Sequence, residues 1–198
     1  DIKSRFPNIH CVVLTPFSHG ITKRMENEDL SIFDYVFCWL GNTNLILSII
    51  KLIEDKMNLE HDIQEAGVQM ILLVEDSIRF YSSILPNLYN YILEQSKNFS
   101  KEALNRHAAT MRMRGRPKVV LARTYEEAQK LYDKYSNNTL GVISDARFPL
   151  KSAAKAFGNK VETEAKPKHR TDTFGREKCP DAGLQLFRYI RKNDPFVP

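Results

Sequence analysis

The stretch VQMILLV at residues 68–74, followed at once by Glu75, Asp76 and Ser77, decides how the rest of the chain is interpreted. Six of its seven residues are apolar. Such a nearly continuous run is typical of a parallel strand covered on both faces, whereas a half-exposed strand alternates polar and apolar residues. We therefore predict a central parallel strand with carboxylates at its carboxyl end.

Strands and helices alternate on both sides of this run. Short runs rich in β-branched residues predict strands, and a period of about 3.6 residues predicts helices. The predicted strands are residues 9–14, 35–40, 68–74, 118–122 and 140–144. The predicted helices are residues 21–33, 44–57, a long region from about 78 to 114 that contains Pro86, 125–135 and 181–191. Residues 61–67 are interpreted as a polar junction, and residues 150–180 as a long inserted loop.

This alternation predicts an α/β fold, a doubly wound parallel sheet with right-handed crossovers. Ligands of such folds bind outside the carboxyl ends of the strands, so the residues that follow each strand are the first candidates for chemistry. Two of the predicted strand ends carry acids. Glu75 and Asp76 follow one strand, and Asp145 follows another.

These three carboxylates become neighbours if the strands of the second half are ordered 2-1-3. Close carboxylates repel and raise one another's pKa, and Mg²⁺, which prefers oxygen ligands, would relieve that repulsion. A carboxylate beside such a metal can attack a phosphoryl group and form an acyl phosphate. Acids also flank strands simply as soluble loop residues, and for Glu75 or Asp145 taken alone that interpretation stays open.

Four segments resemble the response-regulator receiver (CheY-like, flavodoxin-like) family. ILLVEDS (71–77) resembles the first strand with its acidic pair, and ARTYEEAQKL (122–131) resembles the exit of the second strand and its helix. ISDARFP (143–149) resembles the third strand, with the phosphoacceptor aspartate followed four residues later by proline. PDAGLQLFRYIR (180–191) resembles the third helix.

The resemblance implies a function and the residues that would perform it. Glu75 and Asp76 would hold Mg²⁺, and Asp145 would both ligate the metal and accept the phosphoryl group. Arg147 would offer its backbone carbonyl to the metal. The implied protein is a cytoplasmic phosphorelay receiver of two-component signal transduction, with a histidine kinase or phosphotransfer protein as its partner.

The resemblance also divides the chain. Residues 1–66 resemble the C-terminal half of a first receiver-like unit, and residues 67–198 the N-terminal part of a second receiver with the loop at 150–180 inserted. In the first unit Thr15 stands at the position of the switch threonine or serine, whereas Trp39 and Leu40 stand where a lysine is expected. The arrangement is similar to the tandem receiver-like region ahead of some phosphoenolpyruvate synthase/pyruvate phosphate dikinase-like proteins.

Together the two halves offer the strand set of one receiver in permuted order. We hypothesise that they close into one five-stranded sheet, within one chain or by swapping in a homodimer, because a three-stranded remnant would leave a bare parallel edge. Closure would bring Thr15 near Asp145 as a switch hydroxyl. The missing lysine favours an alternative, an unphosphorylated pseudo-receiver that serves as a regulatory or docking domain of a phosphoenolpyruvate synthase-like protein, itself a phosphotransferase.

The composition and motifs bear on several other classes of protein. The 198 residues are 42% hydrophobic, which suits a packed core, and the apolar runs are too short to span a membrane. Three scattered cysteines predict reduced thiols. A nucleic-acid binder is a less favoured hypothesis, resting on Arg112, Arg114, Arg116 and Lys118. The strands are followed by no G-x-G-x-x-G and no P-loop, which argues against a nucleotide-binding protein.

Overall fold

The computed structural model describes residues 2–16, 33–151 and 176–198. The helices are α1 (Ile2–Arg5), α2 (Asn44–Ala66), α3 (Ile78–Lys101), α4 (Arg106–Arg114), α5 (Tyr125–Tyr135) and α6 (Ala182–Asn193). The strands are β1 (Val12–Pro16), β2 (Tyr35–Trp39), β3 (Met70–Val74), β4 (Lys118–Ala122), β5 (Thr139–Ser144), β6 (Phe148–Pro149) and β7 (Lys178–Cys179). The α/β class with parallel sheets is confirmed. The predicted helix at residues 21–33 lies outside the described residues.

The central sheet contains β4, β3 and β5 in that order, and both pairings are parallel. In chain order this is 2-1-3, as predicted from the sequence. The register places Val74 of β3 level with Ala122 of β4 and Ser144 of β5. The residues that follow these three positions therefore emerge together at one edge of the sheet.

Helices cover both faces of this sheet, which explains why its strands are apolar without alternation. Successive side chains of a strand point to opposite faces. Leu73 and Leu121 belong to the cluster formed with α2, α3 and β2, whereas Leu72 and Val120 belong to the cluster formed with α5 and α6. Full burial of one such leucine contributes about 1.5–3 kcal/mol, so the two clusters hold the helices against the sheet.

The first two long strands form a separate parallel pair, with Val12 opposite Tyr35 and Pro16 opposite Trp39. β2 packs on α3: the Cys38 backbone N–H donates a hydrogen bond to Ser82 Oγ at 2.9 Å, and the Tyr81 hydroxyl donates one to the Val36 carbonyl. Side chains from both predicted halves therefore share one core cluster.

The hypothesis of a single five-stranded sheet within one chain is wrong for the described strands. They form a two-stranded and a three-stranded sheet that do not pair with each other. The physical reason lies in β2, where Phe37 is fully buried and meets Tyr81 of α3 edge to face, with 5.3 Å between ring centroids. β2 is thus held against α3, and β1, which pairs with β2, does not pair with β5. Swapping between two chains stays a prediction.

The predicted polar junction at residues 61–67 is also wrong, because helix α2 continues through most of it. Leu59 and Ile63 extend the buried stripe of the helix past its predicted end. The helix ends where Gly67 adopts a left-handed conformation (φ 61°), and the Gly67 N–H donates to the Ile63 carbonyl at 3.0 Å. Glycine suits this position because it carries no Cβ.

The predicted long helical region consists of two helices, α3 and α4. The second begins at Asn105, whose side chain accepts a hydrogen bond from the Ala108 N–H at 2.8 Å. Pro86 lies inside α3. In the described part of residues 150–180, β7 pairs with β6 in an antiparallel ladder that the sequence did not predict.

The three cysteines are free thiols, as predicted from their spacing. Across the described ranges, every helix is too short or too polar to cross a membrane.

Candidate functional site

The ends of β3 and β5 bring three acidic side chains together. Backbone hydrogen bonds continue the sheet for one residue past the strands, since the Glu75 N–H donates to the Ala122 carbonyl at 3.0 Å and the Asp145 N–H donates to the Val74 carbonyl at 2.9 Å. Asp76 follows directly. These bonds fix where the carboxylates leave the sheet, because the backbone from which each side chain projects is held in the ladder.

The three carboxylates meet as the sequence predicted. One oxygen from each of Glu75, Asp76 and Asp145 lies within 4.8 Å of the others. Asp76 is fully buried and Glu75 is 5% exposed, whereas Asp145 is more accessible to solvent. The cluster is therefore closed on the side of β3 and open on the side of β5.

The surroundings of Glu75 disfavour the charged form of its carboxyl group. Burial, with a smaller contribution from the nearby Asp145 and Asp76 carboxylates, raises the pKa of Glu75 to about 7. A hydrogen bond from the Ser77 N–H to Glu75 Oε1 at 2.9 Å, together with the charge of Lys178, acts in the opposite direction. The pKa is raised mainly because burial disfavours the charged form of this carboxyl group, and the neighbouring carboxylates add to that effect.

Lys178 of β7 brings a positive charge to the cluster, and sequence reasoning missed it. Its Nζ lies 2.6 Å from Asp76 Oδ2. Lys178 falls in a polar stretch without periodicity, so nothing in the local sequence distinguishes it from other surface lysines. Only the pairing of β6 with β7 in the structure, which places Lys178 opposite Pro149 a few residues after Asp145, brings this lysine to the cluster.

The turn that carries Asp145 is held from two sides. Asp145 Oδ1 accepts a hydrogen bond from the Ala146 N–H at 2.7 Å, and the Ala146 carbonyl accepts one from the Gly183 N–H at 3.1 Å. Gly183 lies in the first turn of α6, and a Cβ atom built on it would stand 2.4 Å from the Asp145 carbonyl oxygen. The close approach of α6 to this turn therefore requires glycine at position 183.

The donor set fits a hard divalent cation. All three side chains offer carboxylate oxygens, which Mg²⁺ and Ca²⁺ prefer over nitrogen or sulfur. Burial and the neighbouring carboxylates raise the pKa of Glu75, and a bound cation would offset both effects by favouring the charged form. Glu75, Asp76 and Asp145 could thus hold a metal ion, as the sequence predicted, and the identity of the ion as Mg²⁺ stays a prediction.

Two other residues expected at the site stay predictions. Arg147 is exposed in the turn after Asp145, and the role of its backbone carbonyl is untested. Thr15 lies on β1, opposite Cys38, and its hydroxyl donates to the Pro16 carbonyl at 3.2 Å. Because β1 does not join the sheet that carries Asp145, the condition under which Thr15 would reach Asp145 is not met within one chain.

Two of the four basic residues proposed to contact nucleic acid form ion pairs inside the protein. Arg116 and Lys118 are buried. Arg116 pairs with Asp55 at 2.6 Å, and Lys118 pairs with Asp62 at 2.7 Å. These two side chains are therefore not available to phosphate groups, which weakens the hypothesis of a nucleic-acid binder.

Comparison with known proteins adds no relatives. No protein-family model matches the chain, and neither do the curated proteins or the solved structures that were compared with it.

Proposed function

We propose that this chain is a receiver-like phosphoacceptor module, in which Asp145 accepts a phosphoryl group beside a divalent cation held by Glu75, Asp76 and Asp145. The observation that supports it is the convergence of three carboxylates, within 4.8 Å of one another, at the carboxyl ends of two neighbouring parallel strands. Mg²⁺ is the ion proposed, because it accepts carboxylate and phosphate oxygens together.

The difference in exposure assigns the roles. Asp76 and Glu75 are buried and suit a ligand role, whereas the more accessible Asp145 suits the nucleophile, because a phosphodonor must reach it. A carboxylate oxygen of Asp145 attacks phosphorus, the bond from phosphorus to the leaving group of the donor breaks, and an acyl phosphate forms on Asp145. The cation supplies neutralisation of the phosphoryl oxygens.

The turn after β5 contributes positioning. The Ala146 N–H holds Asp145 Oδ1, and Gly183 supports the Ala146 carbonyl from α6. Transfer of a phosphoryl group depends mainly on such positioning and on charge neutralisation, so a fixed carboxylate beside a cation is sufficient machinery for accepting phosphate from a small donor. A histidine kinase or phosphotransfer protein is proposed as the physiological donor, in the cytoplasm.

The decisive experiment is the intact mass of the protein after incubation with acetyl phosphate and Mg²⁺. We expect the addition of one phosphoryl group, its absence in Asp145→Asn, and its absence when Mg²⁺ is removed with a chelator. Asp133→Asn is a matched control, because Asp133 is an exposed aspartate on α5 that contacts Tyr189 and lies outside the cluster. Equal labelling of wild type and Asp145→Asn would contradict the proposal.

A second candidate is an unphosphorylated pseudo-receiver that serves as a regulatory or docking domain of a larger phosphoenolpyruvate synthase-like protein. It is favoured by Trp39 and Leu40, which are exposed at the end of β2, where the resemblance leads one to expect a lysine. A folded sample that binds Mg²⁺ and never gains a phosphoryl group would favour this candidate.

A further inference from the structure

The ammonium group of Lys178 already stands at the most buried carboxylate of the cluster. Its Nζ is 2.6 Å from Asp76 Oδ2, and the Lys178 side chain is only 20% exposed although lysine is normally solvated. The contact joins β7 to the end of β3, two elements far apart in the sequence. Asp76 itself is fully buried, so its partner must come from within the protein or enter as an ion.

Lys178 contacts Asp76 Oδ2, and a divalent cation bound through either oxygen of the same carboxylate would lie close to that ammonium group. Both are cations, and they repel each other strongly at the distances that a shared carboxylate imposes. Lys178 is tethered to β7, so it can withdraw only if its side chain turns away or the strand moves. Lys178 and a metal ion would thus each supply positive charge at Asp76, and the presence of one would weaken the binding of the other.

We propose that Lys178 competes with a divalent cation for Asp76, so that metal binding displaces the Lys178 ammonium and loosens the β6–β7 ladder. This inference rests on the metal-binding part of the proposed function and does not require phosphorylation of Asp145. Lys178 is accordingly a positioning residue, which sets the metal affinity of the cluster and transmits its occupancy to β7.

The ladder is short enough for this coupling to be visible. β6 and β7 pair over only two positions, Phe148 with Cys179 and Pro149 with Lys178. A pair of strands of that length is marginally stable without other contacts, so loss of the ion pair to Asp76 changes how often it opens. β7 leads directly into α6, whose Gly183 packs on the Asp145 turn, so opening at β7 reaches the nucleophile side of the cluster.

The first test is calorimetric titration of the full chain with Mg²⁺ at pH 8, comparing wild type with Lys178→Met. We expect the variant to bind Mg²⁺ about tenfold more tightly, because one competing positive charge is gone. Lys178→Arg keeps the charge and should bind about as wild type does. Lys151→Met is the matched control: Lys151 is an exposed lysine two residues after β6, and its loss changes the net charge equally.

The second test is hydrogen exchange of the segment 176–181 with and without Mg²⁺. Wild type should exchange this segment several times faster when Mg²⁺ is bound, whereas Lys178→Met should exchange it quickly in both conditions. Equal or weaker Mg²⁺ binding by Lys178→Met, or exchange unaffected by Mg²⁺, would overturn the competition and leave the proposed function standing. Failure of every variant to bind Mg²⁺ would overturn both.

Discussion

A fully buried carboxylate lies at each end of the β3–β4 pair, and the two have opposite electrostatic surroundings. At the amino end, Asp55 is fully buried and accepts hydrogen bonds from three neighbours: two from Arg116 at 2.6 and 3.0 Å, one from the Tyr89 hydroxyl at 2.9 Å and one from the Val119 N–H at 3.0 Å. At the carboxyl end, Asp76 is equally buried, but it shares its surroundings with two further carboxylates and one lysine.

Asp55 and Asp76 differ in how their negative charge is neutralised. Asp55 is matched by a guanidinium group and neutral donors, so its charge is neutralised and both of its oxygens are hydrogen-bonded. In the acidic cluster three carboxylates lie close together beside Lys178, and burial together with the nearby Asp145 and Asp76 carboxylates raises the pKa of Glu75. Strongly shifted carboxyl groups of this kind are typical of functional sites, which is why the proposed site is at the carboxyl end.

The largest expected effect on stability is at Asp55, at the amino end of the β3–β4 pair. Asp55→Ala leaves the Arg116 guanidinium buried without its carboxylate, and we expect the free energy of unfolding to fall by about 3–5 kcal/mol. Denaturant unfolding measures this. The neighbouring Glu54→Ala is the matched control, because the Glu54 side chain is 41% exposed and its ion pairs with Lys51 and Arg116 should contribute less than about 1 kcal/mol. Similar losses of unfolding free energy in both variants would contradict the structural role of the buried Asp55.

The sequence predicted the carboxyl end better than the amino end. The apolar run of β3 and the acids that follow it are contiguous, so the strand, the 2-1-3 order and the cluster of Glu75, Asp76 and Asp145 could be predicted from local pattern and fold rules. Asp55 could not, because it lies in the polar-looking segment IEDKM of α2. Its burial depends on Arg116 and Tyr89, which only the packing of α2 against α3 and β4 brings near.

The same reasoning explains the other misses. Lys178 acts through a two-residue ladder, and a ladder that short carries no periodicity. The true end of α2 was detectable, because Leu52, Leu59 and Ile63 continue one helical stripe up to Gly67. The packing of β2 on α3 was not detectable, because a fully apolar strand is equally compatible with a sheet edge and with a helix as its neighbour.

The next effect has the opposite sign and belongs to the acidic cluster. The pKa of Glu75 is about 7 in the folded protein against an ordinary 4.5, so the folded state binds this proton more tightly than the unfolded state. Stability from this proton is fully present below about pH 4.5 and is lost as the pH rises through 7. By linkage, the loss is on the order of 3 kcal/mol at pH 8.

Glu75→Gln tests that sign, because the amide keeps the shape and cannot ionise. At pH 8 without divalent cations we expect the variant to be more stable than wild type by about 2–3 kcal/mol, with the difference vanishing below about pH 4.5. Thermal unfolding across this pH range measures it. Glu126→Gln, at a half-exposed position on α5 paired with Lys130, should show a much smaller pH-dependent difference. A variant that is less stable at pH 8 would show that Glu75 is paired as well as Asp55 is.

The smallest expected effect concerns how the Asp145 turn is held. Alanine at position 183 would improve helix propensity by about 0.5–1 kcal/mol, but its Cβ would lie 2.4 Å from the Asp145 carbonyl oxygen, and backbone cannot yield as a flexible side chain does. We expect Gly183→Ala to destabilise the protein by about 1–2 kcal/mol and to weaken Mg²⁺ binding, because the turn must move away from α6.

Gly115→Ala is the matched control for that variant. Gly115 lies at the end of α4 with φ −74°, and an added Cβ would meet nothing closer than the Met111 carbonyl oxygen at 3.4 Å. That variant should unfold and bind Mg²⁺ almost as wild type does. If Gly183→Ala lowers stability and leaves Mg²⁺ affinity unchanged, then α6 supports the fold but not the position of Asp145, and the metal ligands are set by the strand ends of β3 and β5 alone.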